Sequence, residues 1–311
     1  MYVLGIDAGG TKTHCAVADE TGDILGEGFS GPANHQICGR EVTKQSLRQA
    51  MEKALAQAGI EKNDLSYAVF GMSGADGEDD FAILNPLVKE LMGETGFEIL
   101  HDGWIGFRSA VDSTMGVVSI CGTGAGHAGK NGRGEELTLR NLDYLTGNTG
   151  GGSELAEKAL HYAFRSEEGT WEKTELERKV PELFGENTME EVCRILKNGG
   201  LPAGPATELP KLVFCLAEAG DSVCRMLISK MGEEEGHYAA AIIRRLHMEN
   251  EAVPVVLIGS LFHTKNPLLV EPYRRVVLET APKAYLIIPD AAPVTGAVRI
   301  ALERLTKGEP E

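Results

Sequence analysis

The chain has 311 residues, 42% of them hydrophobic and 24% charged, and it carries a formal net charge of −16. This length favours two domains over a single small core. The acidic balance argues against nucleic acid and anionic membranes as partners, because a negatively charged surface repels both. Six cysteines without CxxC spacing indicate buried free thiols in a reducing compartment. With no signal-peptide pattern and no apolar run of roughly 18 residues, we expect a cytoplasmic protein.

The first part of the chain alternates predicted strands and helices. A three-stranded meander opens it, and a polar loop over residues 31–36 separates the meander from the first helix. Helical spacing of apolar residues then alternates with short apolar runs that indicate strands. The predicted strands cover residues 2–7, 14–18, 24–29, 65–72 and 97–100, and the predicted helices cover 41–58 and 81–92.

The pattern of strand, glycine turn and strand restarts at residue 115, which suggests two related α/β halves. From residue 153 to about residue 249 the chain is mainly helical. The predicted strands of this part cover 115–121, 137–140, 253–258 and 284–288, a closing helix covers 295–305, and a frayed tail covers 307–311.

A glycine turn follows the first strand, which ends in Asp7. Glycines let backbone N–H groups approach anionic oxygens, and hydroxyl groups donate further hydrogen bonds. A carboxylate beside such a turn can hold Mg²⁺ directly or through water. The spacing fits neither the GxGxxG fingerprint nor the GxxxxGK[ST] loop, and an ordinary glycine-rich hairpin is the alternative. The predicted phosphate-contacting residues are Gly9, Gly10, Thr11, Lys12 and Thr13.

Two further glycine-rich turns follow buried strands. The turn Gly122-Thr123-Gly124 could clamp a phosphate chain together with the first turn, if the two halves face each other. The turn Gly259-Ser260 suits a backbone that passes beneath an adenosine, because small residues leave room for the base and ribose. Three such turns in this order predict nucleotide binding more strongly than any one of them alone.

Carboxylates at strand ends are the second indication. Phosphorylation of a hydroxyl needs a base for its proton and a metal for the phosphates. Asp7 suits the metal, and Asp102, which precedes a glycine, suits the base. The alternative for Asp102 is an N-cap of a helix over 103–111. Within the acidic group that follows the strand over 65–72, only Asp76 is expected near a ligand; the others are expected to be solvated or to cap a helix.

Neutral polar residues complete the predicted site. Asn34 is a candidate for the ligand because an amide both donates to and accepts from hydroxyl groups. His35 follows it in the same predicted loop, where a surface or packing role is the alternative. Ser73 and Gly74 end another predicted strand and lie near the ligand in the same interpretation.

With these residues in place, the chain resembles the N-acetylglucosamine kinase branch of the BadF/BadG/BcrA/BcrD ATPase family, within the sugar kinase, heat-shock 70 and actin superfamily. The matching segments run in family order across nearly the whole chain. They are 5–13, 31–35, 71–76, 101–102, 122–124, 218–221, 256–260 and 293–297.

The resemblance implies an α/β fold of two ribonuclease H-like domains, of the actin-like ATPase type, with a cleft between them. The N-terminal domain would cover residues 1–113, with a C-terminal helix at about 293–311 packed back on it. The C-terminal domain would cover 114–292 and carry a helical insertion. ATP and Mg²⁺ would be the cosubstrates, and a hydroxyl of a small-molecule amino sugar, the 6-OH, would be the acceptor. A homodimer is one assembly that stays open.

The resemblance also implies a role for each candidate residue. Asp102 matches the base of the family and Asp7 its metal-associated carboxylate. The implied substrate-binding residues are Asn34, His35, Ser73, Gly74, Asp76, Thr123, Gly124 and Asn148. The implied nucleotide-binding residues are those of the turn over 9–13 together with Gly122, Thr123, Gly124, Gly259 and Ser260.

One segment departs from the family pattern. Where these kinases usually read Gly-Asp-Glu-Gly-Ser-Gly, this chain reads Gly-Asn-Thr-Gly-Gly-Gly from residue 147. Asn148 replaces an aspartate that commonly contacts the sugar, and the amide lacks its charge-assisted acceptor. Another amino sugar or N-acetylmuramic acid is therefore an alternative substrate.

Two other functions stay open. The family contains ATPases that activate 2-hydroxyacyl-CoA dehydratases through a shared [4Fe–4S] cluster, but Cys121 does not match their cysteine pattern and has no suitable companion. A non-catalytic sugar or nucleotide sensor is the other alternative, suggested by the altered segment that begins at residue 147.

Overall fold

The computed structural model describes residues 1–140 and 144–307. The chain forms two compact units: the first comprises Met1–Val118 and the segment that begins at Pro289, and the second comprises Ser119–Ile288. Each unit contains one five-stranded sheet, which confirms the predicted α/β class. The frayed tail predicted beyond residue 307 lies outside the described residues.

The first unit is built on a mixed sheet in the order β3-β2-β1-β4-β5. β1 pairs antiparallel with β2 and parallel with β4, so the predicted meander is confirmed. β5 continues the parallel part of the sheet. The strands are β1 (Tyr2–Ala8), β2 (Thr13–Asp19), β3 (Ile24–Ser30), β4 (Leu65–Met72) and β5 (Gly96–His101).

Helices cover both faces of this sheet. They are α1 (His35–Ala58), α2 (Glu78–Met92), α3 (Asp102–Ala110) and α10 (Pro293–Lys307). Successive residues of β1 enter different cores: Leu4 packs on the side of α1 and α2, whereas Val3 packs on the side of α3 and α10. Because both faces are buried, β1 and β4 read as nearly continuous apolar runs.

Two helices begin earlier than the sequence predicts. α1 begins at His35 and bends at Gly39, so the predicted polar loop over 31–36 is shorter than expected. The start is fixed by Asn34, whose Oδ1 accepts a hydrogen bond from the backbone N–H of Gln36 at 3.0 Å. α2 begins at Glu78 rather than at residue 81, since Asp80 accepts from the N-cap backbone of Gly77.

The second unit repeats the strand order of the first. Its sheet runs β10-β9-β6-β7-β8. If the strands are numbered from one within each unit, the first sheet has the order 3-2-1-4-5 and the second has 5-4-1-2-3, which is the same order read from the opposite edge. The strands are β6 (Gly116–Cys121), β7 (Ala125–Lys130), β8 (Glu136–Thr138), β9 (Pro254–Ile258) and β10 (Tyr285–Ile287). The pattern repeat in the sequence therefore corresponds to a repeat of topology.

In the described part of the second unit, six α-helices accompany the sheet. α4 to α8 form a helical insertion between β8 and β9, and α9 joins β9 to β10. The helices are α4 (Gly151–Glu167), α5 (Leu176–Phe184), α6 (Met189–Gly199), α7 (Ala203–Glu218), α8 (Ser222–Arg245) and α9 (Pro267–Thr280).

All six cysteines are free thiols. Cys15, Cys121 and Cys224 are buried as predicted, whereas Cys215 is exposed on the solvent side of α7. Within residues 1–140 and 144–307, no helix is both long enough and apolar enough to cross a bilayer.

Candidate active site

The candidate site of the first unit forms where three parallel strands end. Ala8 of β1 is paired with Met72 of β4, and Met72 is paired with His101 of β5. The residues at or next to these ends, Asp7, Ser73 and Asp102, therefore lie at one edge of the sheet. Ligands of open α/β sheets collect at this edge.

The first glycine turn is closed by a hydrogen bond from the N–H of Gly9 to the carbonyl of Lys12, at 2.9 Å. Thr11 and Lys12 are exposed, so both can reach a ligand. Thr13 differs, because it is fully buried and its hydroxyl donates to the carbonyl of Gly31 at 2.8 Å. The structure thus places Thr13 in the support of the turn rather than on its surface.

Asn34 ties the start of α1 to the end of β4. Its Nδ2 donates to Oγ of Ser73 at 3.1 Å, and its amide packs against the Cα of Gly74. The Ser73 backbone N–H in turn donates to Ala8 at the end of β1, at 2.9 Å. The structure therefore brings Asn34, Ser73 and Gly74 together beside Asp7.

His35 occupies a different position from the one predicted. It is the first residue of α1, not a loop residue, and its side chain is 5% exposed. Its Nε2 lies 3.0 Å from Oδ1 of Asp80. Its burial against Asp80 favours the packing alternative for His35. Asp80, which was expected to be solvated or to cap a helix, therefore also contacts the start of α1.

Asp7 and Asp102 form an electrostatically coupled pair. Burial, reinforced by the neighbouring charge of Asp102 and opposed by Lys12, raises the pKa of Asp7 to about 7. Burial likewise raises the pKa of Asp102, against the opposing effects of His101 and the Gly103 N–H. Two carboxylates held in this way attract a cation or a proton.

His101 is a residue of this site that the sequence pattern does not single out. Its Nδ1 accepts a hydrogen bond from the Gly103 N–H at 3.0 Å, so His101 is the N-cap of α3. Asp102 is the first residue of that helix, and the N-cap alternative for Asp102 is wrong. Nδ1 also lies 3.3 Å from Asp102, and Nε2 lies 3.4 Å from Asp76. The sequence feature that could have pointed to a role for His101 is its position at the end of a strand, directly before Asp102.

In the second unit, the turn Gly122-Thr123-Gly124 is held by the start of α4. The backbone N–H groups of Gly152 and Ser153 donate to the carbonyls of Gly122 and Thr123, at 2.8 and 2.9 Å. These amides of α4 are therefore occupied by the turn. Thr123 and Gly124 remain exposed, as phosphate contact requires.

The third glycine turn lies beside this one. Gly259 has φ +100°, and a Cβ there would lie 2.4 Å from the carbonyl oxygen of Cys121, so only glycine fits. The Leu261 N–H donates to that same carbonyl at 3.0 Å. Gly259 and exposed Ser260 are thus fixed against the end of β6, next to Gly122.

The altered segment is anchored by Tyr238 of α8. The Tyr238 hydroxyl accepts from the backbone N–H of Thr149 and donates to the carbonyl of Gly147, both at 2.9 Å. Nδ2 of Asn148 donates to the carbonyl of Ala125 at 3.1 Å. Helical periodicity carries no information about hydrogen bonds to residues that are distant in the chain, so the sequence gives no sign of this role of Tyr238.

Glu235 lies one turn before Tyr238 and is fully buried. Oε2 lies 3.3 Å from Nε2 of His127, and Oε1 faces Gly150, where a Cβ would approach within 1.9 Å. Burial raises the pKa of Glu235 well above its ordinary range, opposed by the Cys121 thiol, and burial lowers the pKa of His127 to about 3. Burial therefore favours the neutral form of both groups.

The donors near Asp7 fit a magnesium ion. Mg²⁺ is bound through one or two carboxylates together with phosphate oxygens and water, and the coupled pair of Asp7 and Asp102 supplies hard oxygen ligands with unbalanced negative charge. Among the described residues, no group of three or more His, Cys, Asp or Glu side chains could hold a metal by itself. A site completed by phosphate is therefore the form that these residues support.

Fold and strand-end site together define an actin-like α/β protein. Residues 4–301 match the profile of the BadF/BadG/BcrA/BcrD ATPase family. The chain belongs to this family, which confirms the resemblance seen in the sequence.

Several characterised relatives span nearly the same length. An N-acetylmuramic acid/N-acetylglucosamine kinase of Clostridium acetobutylicum is 26% identical, covering 96% of this chain and 98% of the relative. An N-acetyl-D-glucosamine kinase of Dictyostelium discoideum is 24% identical, with 96% and 97% covered. Among solved structures, a ROK family glucokinase from Streptomyces griseus with glucose and AMPPNP has a TM-score of 0.63 at 16% identity, covering 97% of this chain and all (100%) of that one.

The raised pKa of Asp7 predicts a stability effect that depends on pH. A carboxyl group whose pKa rises from 3.8 to about 7 on folding favours the folded state when protonated, so it costs stability as pH rises through this window. We expect Asp7→Asn to increase the free energy of unfolding at pH 8 by on the order of 1–4 kcal/mol, and to have little effect near pH 4. Urea unfolding in EDTA measures this, with exposed Asp79→Asn as control; equal differences at both pH values would contradict it.

Glu235 predicts a second pH effect, in the other unit. Because its folded pKa is raised well above 4.5, wild-type stability should fall as pH rises above that value. Glu235→Gln stays neutral, so its advantage over wild type should grow from pH 5 to pH 9. Glu235→Ala should instead lose about 2–4 kcal/mol at pH 6 through the cavity it leaves.

The matched control is Glu234→Gln, on the exposed side of the same helix. It should show the pH dependence of the wild type. A Glu235→Gln variant that unfolds with the same pH dependence as Glu234→Gln would show that Glu235 is ionised in the folded protein.

Proposed function

We propose that this protein is an ATP-dependent sugar kinase that transfers the γ-phosphoryl group to a hydroxyl, the 6-OH, of an amino sugar such as N-acetylglucosamine. The observation that carries the proposal is the pair of Asp7 and Asp102 at the ends of β1 and β5, which flank β4 on its two sides, together with the amide of Asn34 and the hydroxyl of Ser73 at the same edge of the sheet. Membership of an ATPase family and the kinase names of the full-length relatives support it.

In this mechanism Asp102 accepts the proton of the acceptor hydroxyl. Its raised pKa brings the carboxyl group closer to the working pH of a general base. A carboxylate with an ordinary pKa would accept the proton less readily. The ring of His101 on one side and Gly103 on the other limit its orientation.

Asn34 and Ser73 bind the sugar. Their mutual hydrogen bond fixes the Asn34 amide with Nδ2 toward Ser73, while Oδ1 caps α1. The groups left for a sugar hydroxyl are then the second N–H of the amide and, on Ser73, the O–H and the one lone pair that Asn34 does not use. Asp76, whose side chain is 28% exposed, is a further acceptor for this ligand.

The two other groups of residues serve the nucleotide. Exposed Thr11 and Lys12 and the turn at Gly122–Gly124 bind phosphate oxygens, and the small residues Gly259 and Ser260 admit the adenosine. Asp7 would hold Mg²⁺, which supplies neutralisation of the phosphate charge during transfer. Removal of that charge lowers the repulsion that an approaching hydroxyl oxygen meets.

Asn148 is the residue on which the choice of sugar depends. Because Nδ2 is engaged with Ala125, Oδ1 takes the place of a carboxylate oxygen as an uncharged acceptor. A neutral acceptor binds a hydroxyl less strongly than an aspartate does. The altered segment therefore favours a sugar that gains binding affinity through contacts other than the one with residue 148. N-acetylmuramic acid, which carries an additional carboxylate, is the alternative to N-acetylglucosamine as the phosphoryl acceptor.

A panel of sugars tests the proposed function. ADP release from ATP and Mg²⁺ should be stimulated by N-acetylglucosamine, glucosamine or N-acetylmuramic acid, and less by glucose, with ³¹P NMR of the product identifying the phosphorylated oxygen. Hydrolysis that no sugar changes would instead indicate an ATPase coupled to a partner. Binding of sugar or ATP without turnover would indicate a sensor.

Asp102→Asn tests the base. The amide cannot take the proton, so we expect sugar-dependent turnover to fall by at least about 1,000-fold, while ATP binding measured by calorimetry changes by less than about threefold. Asp112→Asn is the control, because its carboxylate is 92% exposed and pairs with Arg299 at the surface. Turnover in Asp102→Asn equal to that of the control would remove Asp102 as the base.

A further inference from the structure

The hydroxyl of Tyr238 binds the two residues on either side of Asn148. It lies 2.9 Å from the carbonyl oxygen of Gly147, 2.9 Å from the backbone nitrogen of Thr149 and 3.0 Å from Oγ1 of Thr149. These partners stand 91 and 89 positions away from Tyr238 in the chain. One side chain of α8 therefore brackets residue 148 from both sides.

The hydrogen-bonding capacity of this hydroxyl is fully used. A tyrosine hydroxyl has one proton to donate, and its oxygen can accept up to two hydrogen bonds. Because the carbonyl of Gly147 can only accept, the proton of Tyr238 goes to that carbonyl. The backbone N–H and the hydroxyl of Thr149 are then both donors to the phenolic oxygen. Of the two residues that depart from the family pattern, Thr149 thus directs its hydroxyl to α8.

The ring of Tyr238 is supported by the core of the second unit. It packs on the imidazole of His127, with the ring centroids 4.7 Å apart. Nδ1 of His127 lies 3.0 Å from Oγ of Ser119, and that oxygen lies 2.7 Å from the hydroxyl of Tyr273. His127, Ser119 and Tyr273 are buried. Because buried groups hold the ring from behind, the phenolic oxygen is presented to the altered segment in a defined position.

Resting on the proposed function, we propose that Tyr238 is a positioning residue for the sugar. By holding both neighbours of Asn148, it fixes the backbone of that residue so that Oδ1 meets a sugar hydroxyl. The amide is oriented as well, because Nδ2 donates to the carbonyl of Ala125 at 3.1 Å. An acceptor that is fixed before the ligand arrives loses little conformational freedom on binding, which favours affinity.

Removal of the phenolic hydroxyl should affect the sugar more than the nucleotide. Gly147 is exposed and Thr149 is half-buried, so water can replace the lost hydrogen bonds and the segment loosens without unfolding the protein. The turn Gly122–Gly124 keeps its own hydrogen bonds from Gly152 and Ser153. The phosphate-contacting backbone is therefore held without Tyr238.

Tyr238→Phe removes the hydroxyl and keeps the ring. We expect KM for the sugar to rise about 5- to 30-fold, because three hydrogen bonds that fix the segment are lost, while KM for ATP changes less than about twofold. Tyr285→Phe, at a tyrosine of β10 that is 46% exposed, is the matched control. A sugar KM of Tyr238→Phe equal to that of the control would overturn the proposal.

A double-mutant cycle tests whether Tyr238 acts through Asn148. Asn148→Ala removes the acceptor that Tyr238 is proposed to position. Tyr238→Phe added to this variant should then change the sugar KM by less than about twofold. Effects of the two substitutions that multiply would show that they act independently, and a positioning role through Asn148 would be wrong.

A third measurement does not depend on turnover. In the protein without ligands, the backbone amide of Thr149 should exchange its hydrogen at least about tenfold faster in Tyr238→Phe than in the wild type. The amide of Ser153, which donates to Thr123, should keep its exchange rate. An unchanged rate at Thr149 would overturn the proposal even in an active kinase. If no sugar is phosphorylated, the proposed function fails, and the exchange rates still decide whether Tyr238 fixes the segment.

Discussion

The register of three parallel strands is the constraint on which the candidate site depends. Ala8, Met72 and His101 lie side by side across β1, β4 and β5, and every polar group of the first unit's site is placed relative to these three residues. A shift of one residue would exchange the faces of a strand and move Leu4 and Ile6 out of their core. The apolar faces of the sheet thus determine the register, and the register determines that Asp7 comes to lie near Asp102.

That arrangement has an electrostatic consequence. The charge of Asp102 adds to the effect of burial in raising the pKa of Asp7, and exposed Lys12 opposes it with the smallest of the three effects. The free energy lost here is offset by cores on both faces of the sheet, where Leu4 and Phe70 on one face and Val3 and Val69 on the other are fully buried. A phosphate-bound cation would relieve the repulsion that folding creates, so the same charges that weaken the fold favour the ligand.

Much of the fold follows from the sequence, because buried strands and glycine turns leave local patterns. The meander, the turn at Gly122 and the repeated pattern of strand, glycine turn and strand were all accessible in this way, whereas the order of the strands in each sheet comes from the structure. The start of α1 was not, since it depends on Asn34 accepting from Gln36 rather than on apolar spacing. Contacts between distant parts of the chain, such as Tyr238 with Thr149, leave no local pattern at all. The same holds for His35, whose polar neighbours suggested a loop while Asp80, more than forty positions away, determines its burial.

The backbone of the altered segment in the second unit is held by Tyr238 and by the turn at Gly122. The bonds from Tyr238 to Gly147 and Thr149 and from Gly152 to Gly122 involve backbone groups of the segment, which any side chains at 148 and 149 would leave available. Glu235 fills the space beside Gly150, and its burial raises its pKa and so favours the uncharged carboxyl there. Backbone support of this kind holds the turn at Gly122–Gly124 independently of the side chain of residue 148, which makes its own contact with the carbonyl of Ala125. Nucleotide contacts made by backbone should therefore tolerate this sequence change, and its effect should fall on the choice of sugar.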